Sequence, residues 1–446
     1  MDISLVGTVV PSVGDPYRGE VRIAGGRIES VGPDIADAGS TRRIDVGAAY
    51  LLPGLVDCHV HCLSDPGEGI EAATRSAAAG GVTTIVEMPF DGGGPLNSPE
   101  RYLAKVDKVG REAWIDVALL GTVKPQGGAA DVAGLVDAGV VGFKLSLFHT
   151  DPDRFPRLPD DQLLDVFTEI ARADSTACVH AENDEIIKAR IASYRAEGRT
   201  SPRDHPASRP PVSETEAVGR ACELALAAGA RLHLCHVSVP RSVDVVDRFR
   251  GDGLDVTVET CPHYLVFTEA DMDDLGARLK INPPLRTAED QEGLWQRLAA
   301  GRLTAVSSDH APWPVGNKTK ENVFDNHSGA PGVETLAAVM AGAALDRGLD
   351  IDAVARLLST NPARRFGLTG KGSLAPGADG DITVIDPDQK WTVDEAELHS
   401  NAGWSPYHGY TTSARVTLTV SRGEVVWDGS SLQGSAGRGR LVSSRA

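Results

Sequence analysis

Short, apolar, β-branched runs recur along the chain at strand length. They fall at residues 82–88 (VTTIVEM), 115–120 (IDVALL), 140–145 (VVGFKL), 176–181 (TACVHA), 232–237 (LHLCHV), 256–259 (VTVE) and 303–308 (LTAVSS). Near-continuous apolarity over so few residues suits strands buried on both faces, as in a parallel sheet. Between them lie stretches of helical period at 69–79, 99–109, 160–171, 213–227 and 289–299. In 160–171, Leu163, Leu164, Phe167 and Ile170 share one face, and acidic residues open the segment. With a further strand at 53–60, eight β-α units fit between residues 53 and 366, roughly 40 residues each, as in a (β/α)8 barrel with long functional loops. Alternation alone is equally compatible with an open, doubly wound sheet.

The two ends follow another grammar. Short strands with turn signals occupy 19–23 and 27–31, then 381–386, 416–420 and 424–427. Neither end is large enough for its own core. The expected fold class is therefore α/β: a TIM-type barrel over 53–366 beside a small β-sandwich built from residues 1–52 and 367–446. The Ser/Gly-rich tail after Gly429 is expected to fray.

Composition narrows the function classes. The 446 residues carry 44 Lys and Arg against 62 Asp and Glu, a formal charge of -18, which disfavours a nucleic-acid-binding face. No apolar run approaches the roughly 20 residues that span a bilayer. The opening MDISLVGTVV has no basic n-region, and six cysteines without a CxxC pair do not read as a disulfide framework or zinc ribbon. A cytoplasmic, acidic enzyme with no nucleic-acid or membrane partner is expected.

The chemistry concentrates at strand ends. In Asp57-Cys-His59-Val-His61, residues i and i+2 of a strand share a face, so two imidazoles converge on one metal. Lys144, His180, His236 and Asp309 each sit at or just beyond the end of a different predicted strand. In a β/α barrel those ends form one rim, where barrel active sites are built. Singly, His180 reads as a core histidine, His236 as a helix-entry residue and Asp309 as an N-cap; together they read as a metal site. A lysine in a buried strand either snorkels to solvent or loses or pairs its charge, and carbamylation by CO₂ is one such remedy.

The order HxH, Lys, His, His, Asp resembles the amidohydrolase superfamily, in the binuclear branch that opens cyclic amides. The stretches GGVTTIVEMP, GFKLSLF, VHAEN, CHVS, ETCPHYL, KINPPLR, SSDHAPW and SPYHG carry the likeness across residues 54–409, and GRIESVG and KGSLAPGADGDITVID extend it to both ends. The chain is similar to allantoinases and hydantoinases (dihydropyrimidinases), more distantly to dihydroorotases, and ETCPHYL, SDHAP and SPYHG lean toward allantoinases. The resemblance implies two divalent ions, zinc first, with manganese, cobalt or iron accepted by the same donors. It implies that His59, His61 and Asp309 hold the more buried ion, His180 and His236 the other, and a carbamate on Lys144 bridges both. A metal-bridging hydroxide then attacks the ring carbonyl, and Asp309 moves the proton to the leaving nitrogen. The implied reaction is allantoin to allantoate in purine catabolism, by a homo-oligomer (tetramer or dimer) acting on a small cyclic ureide. The alternative is a hydantoinase or dihydropyrimidinase; a dihydroorotase, a mononuclear deaminase lacking the bridging lysine and a non-catalytic scaffold rank lower.

Departures bear on the substrate. Many hydantoinases place a carbonyl-polarising tyrosine five residues after the bridging lysine, where this chain has His149, either a substitute donor or a solvent-facing residue. No arginine follows His61, which weakens the dihydroorotase reading, although Asn282 matches a position where those enzymes hold asparagine. Asn282, Ser328 and Gly329 are candidates for the ring's imide edge, or else shape loops. Strand alternation is expected to turn Cys58 away from the histidines and His233 away from His236. His263 and His310 are candidates near the site, and Asp57 for orienting a ligand.

Overall fold

The computed structural model describes residues 3–12, 14–33 and 42–444. Eight parallel strands carry the molecule: β1 (Leu55–Val60), β2 (Val82–Glu87), β3 (Asp116–Gly121), β4 (Gly142–Ser146), β5 (Thr176–His180), β6 (Arg231–Leu234), β7 (Val256–Thr260) and β8 (Ala305–Val306). They hydrogen-bond in chain order, each to the next. A parallel bridge from Val60 to His310, with His61 N–H donating to His310 O at 2.8 Å, joins the first strand to the last. This seam selects the barrel over the open sheet. β8 is shorter than its apolar run, because the chain leaves the ladder early to form the loop bearing Asp309.

Local chemistry sets the helices around the barrel. Ser98 caps Pro99–Glu112, with Pro99 in the first turn, where the missing N–H costs nothing; Asn183 caps Asp184–Ala196 through Ile186 N–H. Outward residues such as Ile85, Leu119, Phe143 and Val179 pack in the layer that includes the helices, while Val56, Val86, Ala118, Leu120 and Cys178 fill the barrel interior.

The second body is a mixed sheet of seven strands ordered Glu424–Trp427, Arg415–Ser421, Ile382–Asp386, Arg42–Pro53, Ile3–Val9, Tyr17–Ala24, Arg27–Gly32. It is built from both chain ends, as expected, with its own core around Leu5, Ile23, Leu51 and Val384. Buried ions fasten it to the barrel floor. Lys371 Nζ lies 2.6 Å from Asp116 at the start of β3, and 3.0 and 2.8 Å from Asp379 and Asp381; Arg422 pairs with Asp116 as well.

The tail departs from expectation through Ser444. Arg440 O accepts from Val117 N–H at 2.9 Å, and Val442 N–H donates to Val117 O at 2.8 Å, so the tail runs parallel beside β3. Val442 packs against the interior cluster containing Phe366 and Leu368. A segment that reads as polar and small is held because Leu441 and Val442 bring main-chain partners and apolar surface to the open floor of the barrel. Truncation after residue 435 is expected to lower the thermal midpoint by about 3 °C or more without changing metal content. An unchanged midpoint in a melting curve would reduce the tail to a passive attachment.

Candidate metal centre

All six rim residues meet in one pocket, lined by His59, His61, Lys144, His180, His236 and Asp309. His59 Nε2 and His61 Nε2 lie 3.3 and 3.6 Å from Asp309 Oδ1. Lys144 Nζ lies 3.3 Å from His59 Nε2, and His180 Nδ1 lies 3.1 Å from His236 Nε2. Two of the six leave ordinary backbone space: φ is 39° at His236 and 47° at Asp309, in the left-handed region. Such strain persists where the surroundings over-determine it and clusters at functional sites. Here it turns the chain sharply just beyond β6 and β8, where both side chains enter the pocket.

The organiser beneath the site is Glu259, near the end of β7, for which the sequence reading assigned no role. It is fully buried and accepts from His59 Nδ1 (2.5 Å), His233 Nε2 (3.1 Å), Cys58 Sγ (3.1 Å) and the His236 backbone N–H (3.2 Å). The bond to Nδ1 fixes the tautomer of His59 and leaves its Nε2 lone pair toward Asp309. A signal was present: an acid in a buried strand demands partners as Lys144 does. Cys58 and His233 thus face the interior rather than away from it. The β1–β2 register shifts between Asp57 and Val60, and this irregularity breaks the alternation that placed Cys58 outward.

His180 is fixed in the same manner. Its Nε2 donates to Glu182 Oε2 at 2.9 Å, and Arg209 Nη1 donates to the same oxygen at 2.5 Å. Burial opposes ionisation of Glu182, but Arg209 and His180 outweigh it and hold the carboxyl down at about 2. Asp57 Oδ1 accepts from His59 and Ser308 N–H at 3.2 and 3.1 Å, across the seam. His310 turns its side chain away, with Nε2 3.4 Å from Glu68, and His263 is buried with Nε2 unpartnered.

The pocket is poised to hold cations. Burial lowers His61 to about 4 and pushes His180 and His236 below the usual imidazole range. Burial would raise Asp309, yet the surrounding imidazoles hold it well below the carboxylate range. His180 and His236 are therefore held as neutral imidazoles, and with His180 Nε2 committed to Glu182, its Nδ1 lone pair faces His236 Nε2 inside the pocket. Lys144, 2% exposed, has no carboxylate within ion-pair distance among the described residues. Imidazoles and a carboxylate on one side, with two imidazoles and a lysine on the other, suit first-row divalent metals.

Asn282, Ser328 and Gly329 line the same pocket, with Phe90, Phe155 and Trp313 as an aromatic wall. With its amide oriented to satisfy its neighbours, the Asn282 oxygen accepts from Ser328 Oγ and Arg209 Nη2, both at 3.2 Å. Gly329 has φ 108°, and a Cβ there would come within 2.6 Å of Ala311 Cβ, so only glycine fits. His149 lies in an adjoining chamber, its backbone N–H bonded to Asp184, and Thr150 lines the metal pocket instead.

Comparisons with known proteins agree with this geometry. The model of the Amidohydrolase family matches residues 50–426. Allantoinase from Rubrobacter xylanophilus is 40% identical, covering 94% of this chain and 93% of its own. Allantoinase from Deinococcus radiodurans is 37% identical over 100% of this chain and 99% of its own. The solved structure of L-hydantoinase (dihydropyrimidinase) from Arthrobacter aurescens superposes with a TM-score of 0.96 at 32% identity, over 99% of both chains.

Glu259→Gln keeps the shape of the acceptor but removes its charge beneath His59. We expect it to weaken metal retention by about 10–100-fold, read by competition with a chelator. Retention equal to the parent protein would strip Glu259 of this organising role.

Proposed function

Because the chain belongs to the amidohydrolase family, we propose that it hydrolyses allantoin to allantoate, as a cytoplasmic enzyme of purine-ring catabolism and a homo-oligomer (dimer or tetramer). It is a hydrolase of cyclic amides; the carrying observation for the substrate is 36–40% identity to allantoinases over nearly the whole chain. His59, His61 and Asp309 would hold one divalent ion and His180 and His236 the other, with Lys144 as a carbamate between them. Bound there, the ions, zinc first, supply Lewis-acid polarisation of the scissile carbonyl and a water of near-neutral acidity.

The protein's own groups do the rest. Asp309, kept ionised by its neighbours, accepts a proton from the attacking water and returns it to the leaving amide nitrogen. Asn282 and the Ser328–Gly329 segment offer donors and acceptors to the ring's imide edge. Phe90, Phe155 and Trp313 shed water from the ring's other side. Lys144 suits carbamylation, buried with its Nζ 3.3 Å from His59 Nε2 on the pocket wall, where an anionic carbamate would be stabilised by the cations its neighbours would hold. Conversion takes one CO₂ onto the neutral amine with loss of one proton.

A second reading, hydantoinase, draws on the near-complete superposition with L-hydantoinase and on the aromatic wall, which suits an apolar substituent on the ring. A panel of allantoin, 5-substituted hydantoins, dihydrouracil and dihydroorotate, with products identified, separates the two. Allantoin is expected to give the highest kcat/KM; turnover of hydantoins without any of allantoin would overturn the first choice. Lys144→Ala is expected to lose metal and activity together, with partial recovery in short carboxylic acids. Activity equal to wild type would sink the carbamate. Asp309→Asn is expected to reduce kcat by at least about 100-fold.

A further inference from the structure

We propose that Lys280 is a positioning residue for the substrate side of the pocket, clamping the loop that presents Ser328 and Gly329. This rests on the reading above, in which those residues and Asn282 meet the ring. Lys280 follows the helical turn Gly276–Leu279 and stands two residues before Asn282. Its Nζ donates to Phe324 O at 3.3 Å and to Asn326 O, and its own carbonyl accepts from Gly329 N–H at 2.9 Å and from Lys318 Nζ at 2.9 Å. One residue thus ties residues 318, 324, 326 and 329 to the strand of chain that carries Asn282.

A circuit through two indoles closes on the same segment. Lys318 Nζ sits 5.6 Å from the ring centre of Trp404, Trp404 Nε1 donates to Trp313 O at 2.7 Å, and Trp313 Nε1 donates to Ser328 O at 2.8 Å. At its far end the loop joins the barrel, where Ala311 N–H donates to Ala330 O at 2.9 Å, two residues past Asp309. The Ser328–Gly329 segment is therefore held from the Asn282 side by Lys280 and from the Asp309 side by Ala311.

The residue type identifies the task. Lys280 and Lys318 are both buried, and neither has a carboxylate within ion-pair distance among the described residues. Burial pushes Lys280 down to about 7 and Lys318 well below the lysine range. Filling space alone would favour an apolar side chain, which avoids that desolvation. The loop's irregular backbone leaves the carbonyls of Phe324 and Asn326 without ladder partners, and a long stem ending in three donors reaches both. Because reaction rates fall steeply when a bound ring shifts by an ångström, a loop without regular structure needs such a brace.

Lys280→Met keeps the stem and removes the donors without burying a new charge. We expect deuterium uptake by residues 320–331 to quicken, KM for the best ring substrate to rise about tenfold, and kcat to stay within about threefold, with metal content equal to wild type. Lys318→Met, one step removed, is expected to shift the same quantities less. Unchanged deuterium uptake in Lys280→Met would overturn the clamp whatever the substrate is. Faster uptake with an unmoved KM would reduce it to a structural tie. Wild-type protein that opens no cyclic ureide would refute the functional reading and the positioning role with it, while the exchange measurement still reports on the clamp.

Discussion

The site depends on the seam where the barrel closes. Parallel strands ordered in sequence can stay open, and then the first and last strands lie at opposite edges. Here Val60 pairs with His310, and the Asp57 carboxylate accepts from the backbone of both His59 and Ser308. That contact brings residues some 250 positions apart in the chain within one hydrogen bond and sets Asp309 beside His59 and His61. Burial raises the Asp57 carboxyl to about 6, with the two backbone donors working against it, so the seam is itself a buried polar joint. Without closure, the same six side chains would form two unrelated patches.

Closure creates an interior that must hold charge, and the structure meets this by sharing acceptors. Glu259 takes four donors, two from β1 and two from β6 and the turn that follows it, and Glu182 takes His180 and Arg209. Each carboxylate is fully buried, a state that is tolerable only when paired and hydrogen-bonded. The consequence for chemistry is tautomeric: each acid consumes the proton of the nitrogen facing away from the pocket, so the lone pairs of His59 and His180 point inward. A buried acid network below the rim thereby does for the imidazoles what a ligand field needs, before any ion arrives.

The barrel and its rim were legible because both depend on short-range pattern. Apolar runs mark strands, and a histidine, lysine or aspartate at the end of such a run stands out by its type. Glu259 stands out by the same logic, since it closes the run VTVE and opens ETCPHYL, but it lies below the rim where strand-end ligands are sought. Cys58 was misplaced because a register shift in β1 overrides simple alternation, and His233 because β6 ends at Leu234 and the left-handed turn at His236 breaks the alternation between the two histidines, neither of which sequence periodicity reports. The tail was misread because its composition is that of a frayed end, while Leu441 and Val442 supply the contacts that hold it. His149 has a chemically apt side chain at an apt offset, yet the loop after β4 turns Thr150 into the pocket instead.

These failures share a cause that also explains why substrate choice is harder to read than reaction class. The metal-facing groups ride on strand ends, whose positions follow from a ladder of backbone hydrogen bonds. The substrate-facing groups ride on loops whose geometry is set by side chains reaching distant carbonyls: Trp313 to Ser328, Trp404 to Trp313, Arg154 to Ser64. Arg154 also stacks 4.3 Å over Phe90, so the aromatic wall is braced by a cation as well. Such braces have no period and join residues tens of positions apart, so they leave no local signature. A family can then keep one rim, and with it one way of breaking a cyclic amide, while its members differ in the rings they accept through changes in a few bracing side chains.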